Sequence, residues 1–437
     1  MKKALATILA LVMVLGVTTA AWADGEVAEI TKDGATKKYA TLAEAITAAS
    51  NGDTITLSGN IEVSQALSVS KKVTIDLNGQ TITGKNGEYG CRVFNVVAGG
   101  SLTLTGSGTI TTEGNNDDTF PVESSVIRVG DNTNGAACGL VVGKDVKIIA
   151  PASYGVTVFG TNTKQTLEVN GTVTSDKACA ISGNGSAGFT ATEITINDGA
   201  EITSNDNVAI YHPQAGTLTV KAATITGRGG IEIKSGTASV DVAGANIKAT
   251  GSVDHTGNND GTSSRGYAIA VVENPGYKGA PSAVIQNGDF VGAMGILKDG
   301  EVSAEEKKGN LAIHAGSFTV NVNDYVTGNT PVASNNGTYY VGETTIQNAA
   351  NNLSAGQQLK IEKGTVTING AEYSAGGNAT YTKPSSGGYY YYYPTTDTKA
   401  DDTKGSPKTF DAGVGIYAVT AVLSVTGMAW TAKKRGN

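Results

Sequence analysis

The sequence predicts an all-β protein: a right-handed single-stranded parallel β-helix with short helical caps, set between an N-terminal signal peptide and a C-terminal transmembrane helix. Three observations lead there. Short apolar-x-apolar segments return along the middle of the 437-residue chain. The first residues run basic, then apolar, then small. The last residues run apolar, then basic.

Lys2 and Lys3 precede an apolar run from Ala4 to about Gly16, and Ala21-Trp22-Ala23 stands before Asp24. That order is a secretory signal, with cleavage expected between Ala23 and Asp24. A permanent span needs ~20 apolar residues, more than this run supplies. Residues 24–60 then form an N-terminal cap, 61–327 the parallel β-helix and 328–373 a C-terminal cap region.

The repeat is read in three columns. The first is Val73-x-Ile75, Leu102-x-Leu104, Leu140-x-Val142, Leu167-x-Val169, Ile194-x-Ile196, Leu218-x-Val220, Val240-x-Val242, Ala283-x-Ile285 and Leu311-x-Ile313. Alternation of this kind is a strand with one inward face. The second column follows an Asn, Asp or Gly turn: Ile82, Ile110, Val146, Val173, Ile202, Ile225, Ile247, Phe290 and Phe318. Asn78-Gly79, Asn170-Gly171, Asp198-Gly199 and Asn287-Gly288 supply turns. The third column sets a small residue before a β-branched one: Gly155-Val156, Ala180-Ile181, Ala209-Ile210, Gly230-Ile231, Ala268-Ile269 and Gly295-Ile296. Three strands per unit, returning every ~22 to ~43 residues, predict coils that pair with the coils above and below. An antiparallel sandwich would not keep three registers aligned through the chain.

The open ends of such a stack need closing. Thr41-Leu42-Ala43-Glu44 is a capping-box start to a helix running to about Ser50, and it leads into a strand over Thr54–Leu57. Thr344-Thr345-Ile346-Gln347 opens a similar stretch to about Leu353, before a strand over Leu359–Ile361. The same closing device is expected at both ends.

Tyr39, Thr41, Leu42, Ala45, Ile46, Ala49, Gly52-Asp53-Thr54-Ile55 and Asp76-Leu77-Asn78-Gly79 together resemble the opening of bacterial surface proteins with the pectate-lyase-like β-helix fold. The resemblance covers about Gly25 to Val326. It implies the fold. For function it implies three classes, since that group holds enzymes, adhesins and passive scaffolds.

Residues 374–411 are rich in Gly, Ser, Thr, Pro and Tyr, with Tyr389 to Tyr393 in a row, and read as a low-complexity stalk. Residues 412–432 are apolar and long enough for a bilayer core of ~30 Å. Lys433-Lys434-Arg435 belongs to a basic cytoplasmic tail over 433–437. The segment Ser406-Pro407-Lys408-Thr409-Phe410, with the span and tail behind it, looks like a Gram-positive sorting signal. Pro407 and Thr409 match; Ser406 stands where that motif has Leu and Phe410 where it has Gly. Linkage to peptidoglycan and retention as a membrane anchor are both open, and either leaves the chain at the cell surface.

Removing the signal takes two of the 32 cationic side chains and none of the 39 acidic ones, leaving the exported part more acidic than the formal −7 of the whole. With only five arginines and no basic cluster outside the tail, nucleic acid is not an expected partner. Cys91, Cys138 and Cys179 have neither disulfide parity nor metal-ligand spacing and read as small apolar residues.

An enzyme of this fold class, a polysaccharide lyase or hydrolase, needs acidic residues with a base or paired carboxylates. His212, His255 and His314 fall in unrelated repeat positions and read as surface or turn residues. Two inserts follow the second column: Glu113 to Glu123, carrying Asp117 and Asp118, and Gly251 to Arg265, carrying Asp254 and Asp260. Hydrated loops are the plain reading; calcium at these four carboxylates is the metal hypothesis, and no other cofactor is expected. The expectation is therefore a non-enzymatic, adhesin-like display of faces that contact extracellular glycans or a host surface. A carbohydrate-active lyase or hydrolase is the alternative, and a passive structural surface component the third.

Overall fold

The structure is a computed structural model that describes residues 25–85, 92–113, 125–130, 136–159, 163–184, 192–277, 279–300 and 308–385. The signal peptide with Ala23 and Asp24, Cys91, Asp117 and Asp118, the Tyr389–Tyr393 run, Ser406 to Phe410 and the 412–432 span lie outside the described residues. Among the described residues no helix is long and apolar enough to cross a membrane.

The fold is all-β and built from long parallel sheets. In the first column Val73, Leu102, Leu140, Leu167, Ile194 and Leu218 are successive partners in parallel strands. In the second, Ile110 joins Ile82 to Ile148, and Val173, Ile202, Ile225, Ile247, Phe290 and Phe318 continue the line. The third runs from Leu67 through Phe94, Ile127, Val156, Ile181, Ile210 and Ile231 to Ile269 in a nine-stranded sheet. The side chains of all three columns meet in one shared core. Burying each Val, Leu or Ile contributes roughly 1.5–3 kcal/mol, while neighbouring parallel strands satisfy the backbone groups that burial strips of water. Phe290 and Phe318 stack with ring centroids 4.9 Å apart.

Small residues are required where neighbouring strands approach each other closely. A Cβ at Gly230 would lie 2.4 Å from the Ala268 carbonyl oxygen and 2.6 Å from Ile247 Cγ2. Gly155 is constrained likewise, its added Cβ falling 2.6 Å from the Ala180 oxygen.

Three registers depart from the expected columns. Leu218 pairs with Ala238 and Val220 with Val240, so the first-column unit there is Ala238-x-Val240, two residues earlier than expected. The cause is the strand Thr237–Ala249, which runs through the first and second columns without a turn and absorbs the difference as register shifts after Val240. Ile148, not Val146, faces Ile110, because Val146 pairs with Gly108 at the head of a strand of equal length that buries Val146, Ile148 and Ala150 alike. Ile269 faces Met294 and Ile296 faces Val271, a consequence of the irregularity between Tyr267 and Ile269.

Both ends close with a helix and antiparallel strands. Ala28–Lys32 pairs antiparallel with Ala35–Tyr39 and with Thr54–Leu57. The helix Leu42–Ala48 carries the expected capping box, with Glu44 N donating to Thr41 Oγ1 and Thr41 N donating to Glu44 Oε2. At the far end, Val332–Asn335, Thr338–Val341, Gln358–Lys363 and Thr380–Thr382 pair antiparallel around the helix Glu343–Asn352. This helix starts behind Gly342 and has no side-chain cap, so the two ends share layout but not capping chemistry. Ile346, Leu359, Ile361, Ile368 and Tyr381 form its own small core. Asn369 and Gly370, both at positive φ (51° and 84°), turn the hairpin between Thr365–Ile368 and Ala371–Ser374. The paired strand Thr380–Thr382 lies within the segment expected to begin the stalk. Its Tyr381 is buried edge-on against Tyr373, and this packing carries the ordered cap past residue 373.

Candidate functional site

Strands of the nine-stranded sheet should alternate between core and solvent. Three are instead buried at every position, Tyr154–Val158, Val208–His212 and Gly229–Ile233, and Tyr267–Glu273 is buried at all but its first. What covers the outer face of Gly229–Ile233 is the insert after the second column. It folds back as a small hairpin, Asp254-His255 against Ser264-Arg265, and buries Thr262, Ser263 and Ser264.

A buried ionic cluster holds the insert down. Glu232 points outward from its strand between Tyr211 and Ala270 and is fully buried. Its carboxylate accepts from Ser263 N at 3.0 and 2.9 Å, Ser264 N at 2.8 Å, Ser263 Oγ at 3.2 Å and Ser264 Oγ at 2.7 Å. Lys234, 3% exposed, sets its Nζ 3.2 Å from Glu232 and 2.6 Å from Asp299, and also donates to the Gly261 carbonyl. The ammonium lies 5.7 Å from the Tyr211 ring centre and 6.0 Å from that of Tyr277. Asp299 further accepts from Asn274 Nδ2 at 3.0 Å and meets His255 Nε2 at 2.7 Å.

Burial works to lower the Lys234 pKa, but Glu232 and Asp299 outweigh it and the value is raised. Burial likewise works to raise the Asp299 pKa, and Lys234, Asn274 and His255 outweigh it, so the value is lowered. Both groups therefore stay charged through the neutral range. The Glu232 oxygens are saturated by donors, which suits a clamp. His255, with an imidazole oriented by a carboxylate at the solvent edge, is the member of the cluster with the reach of a general base.

A second layer lies beside the clamp. Asp260 accepts from Asn207 Nδ2 at 2.6 Å, from Thr262 N at 3.0 Å and from Thr262 Oγ1 at 2.7 Å. Tyr211 and Tyr277 share a hydroxyl contact of 2.9 Å. Tyr154, Ala178, Cys179, Val208 and Tyr211 make a satellite apolar cluster. Burial holds the Cys179 thiol well above its ordinary pKa, so it stays protonated and unreactive, and Cys138 is also buried, its Sγ donating to the Ala136 carbonyl at 3.7 Å.

The expected site residues fall unevenly. Asp254 and Asp260 belong to the one insert, Asp254 accepting from Thr256 Oγ1 at 2.8 Å. Among the described residues no group of three or more His, Cys, Asp or Glu is placed to hold a metal. His212 is a correction: it closes a strand with its ring turned inward, 1% exposed, because Ile210 and His212 share the core-facing parity. His314 is exposed beside Thr327 Oγ1, as a surface residue should be. Glu232, Lys234, Asp299 and the two serines were not singled out by the sequence. Their one legible trace is Glu-Ile-Lys on a column-three strand just ahead of the insert.

Set against family models, curated proteins and solved structures, the chain finds no match.

Proposed function

We propose that the chain is an exported display protein: a right-handed parallel β-helix held at the cell surface by the 412–432 span, with peptidoglycan linkage through Ser406 to Phe410 as the other mode of attachment. Its role is non-enzymatic and adhesin-like, presenting hydroxyl- and amide-rich faces to extracellular glycans or a host surface. The observation that carries this reading is the outward side of the second column. There Thr81 and Thr83 lie beside Thr109 and Thr111, Thr172 and Thr174 lie farther along, and Thr224 and Thr226 beyond them, all in parallel register. Lys147, Ile149 and Glu201 interrupt these rows, and between them the threonines repeat at ~4.8 Å as a hydrogen-bonding surface.

A second reading is a polysaccharide lyase or hydrolase, favoured by the His255–Asp299 pair alone. The full chain applied to a glycan array, with a parallel assay for reducing or unsaturated ends, separates the two. Saturable binding without turnover is the expected result. Product release that His255→Ala abolishes would replace display with catalysis.

A further inference from the structure

Polar side chains concentrate in a second place, where several make no hydrogen bond to another described residue. Between the last parallel coils and the helix Glu343–Asn352 lies a cleft of about 690 Å³. Of the side chains lining it, Tyr340, Glu343, Thr344, Asn348 and Asn352 make no hydrogen bond to another described residue. Asp289 accepts from Ser317 Oγ and Asn335 Nδ2 donates to the Gln358 carbonyl, whereas the five side chains above line the open volume with their hydrogen-bonding groups unused. Hydrogen-bonding capacity gathered in a cleft and left unused within the chain is what a polar ligand requires.

The chemistry of the lining narrows the ligand. Asp289 and Glu343 carry charge, and no Lys, Arg or His lines the cleft, so anions such as uronates and phosphates are repelled. Asn348 and Asn352 stand one helical turn apart, and each offers an amide that can donate and accept to adjacent hydroxyls. Tyr340 adds a ring with a polar tip, the side chain best suited to the C–H face of a sugar. The cleft also continues a row. Thr224, Asn246, Asp289, Ser317 and Tyr340 are successive partners across neighbouring strands, so an extended chain seated at Tyr340 can run along the outward side of the second column.

We propose that this cleft is the glycan-binding site and that it takes an uncharged oligosaccharide, whose remaining units lie along the Ser317–Asp289–Asn246 row. The proposal rests on the display reading above and gives it one location and one ligand class.

The test is calorimetric titration of the full chain with uncharged hexasaccharides of glucose, mannose and N-acetylglucosamine, and with hexagalacturonate as the anionic probe. Asn348 and Asn352 are exposed, so Asn348→Ala/Asn352→Ala should fold as the parent does, which circular dichroism checks. The expected result is saturable binding of an uncharged probe, weakened about tenfold or more in the double variant, the scale of a few neutral hydrogen bonds. Tyr340→Leu, which keeps apolar bulk, should weaken it as well. Unchanged affinity in the variants would remove the site from this cleft and leave the display reading standing. Binding of hexagalacturonate alone would overturn the ligand class. Silence toward every probe here and on the array would sink both.

Discussion

Glu232→Ala should lower unfolding stability by about 3–5 kcal/mol, the scale for removing one partner of a buried ion pair. The loss has several parts. Ser263 N, Ser264 N and the Ser264 hydroxyl lose their acceptor, the Ser263 hydroxyl keeps only Asp299 Oδ2 at 3.3 Å, and the buried Lys234 ammonium keeps only Asp299 as a counter-charge. Lys234→Met should cost less, because the Glu232 carboxylate keeps its serine donors when the ammonium is gone. Denaturant unfolding gives the order, and hydrogen exchange gives the place: protection over 251–265 should fall in Glu232→Ala before the coils themselves open. Equal costs for the two variants would mean that the ion pair, and not the capture of the insert backbone, holds the clamp.

The second large effect concerns acid. His212 is buried in the core with its Nε2 lacking any hydrogen-bond partner among the described residues, and burial depresses its pKa from 6.5 to about 4. The folded protein thus resists a proton that the unfolded chain accepts. Stability is at its full value above pH 6.5, falls as the pH drops toward 4, and levels once both states are protonated. At 1.36 kcal/mol per pKa unit the loss is about 3 kcal/mol. His212→Leu should flatten this part of the pH–stability profile, measured as denaturation midpoints between pH 7 and 4. Asp299 acts in a lower window: its lowered pKa gives stability that is present above the usual carboxylate value and is lost as pH falls through the folded one. A slope between pH 6.5 and 4 that survives in His212→Leu would assign the acid sensitivity to another group.

The coils were legible where the residues alternate strictly. Leu102-x-Leu104, Leu167-x-Val169 and Ile194-x-Ile196 fix a face, because a one-residue slip would turn every side chain to water. At Ala238-x-Val240 the inward residue is small, and Val240-x-Val242 fits the apolar pattern as well, so only the partner strand decides between them. His212 was misplaced for a similar reason: parity put a polar residue inward, against its type. The N-terminal cap could be read because its capping box is local, whereas the C-terminal cap depends on Tyr381 reaching back across the sheet. The Glu232 clamp was invisible to pattern. Its parts come from a strand, an insert 31 residues later and Asp299 beyond it, and on a sheet's outer face a Glu or Lys looks like any solvated residue.

Strands of each column lie one above another in parallel register, and a crystal structure of the chain is the measurement that tests this arrangement. Leu102, Leu140, Leu167, Ile194 and Leu218 should stack on successive parallel strands at ~4.8 Å spacing. Antiparallel hairpins joining neighbouring column-one segments would contradict it, and the outward rows and the cleft's continuation along them would fall with it.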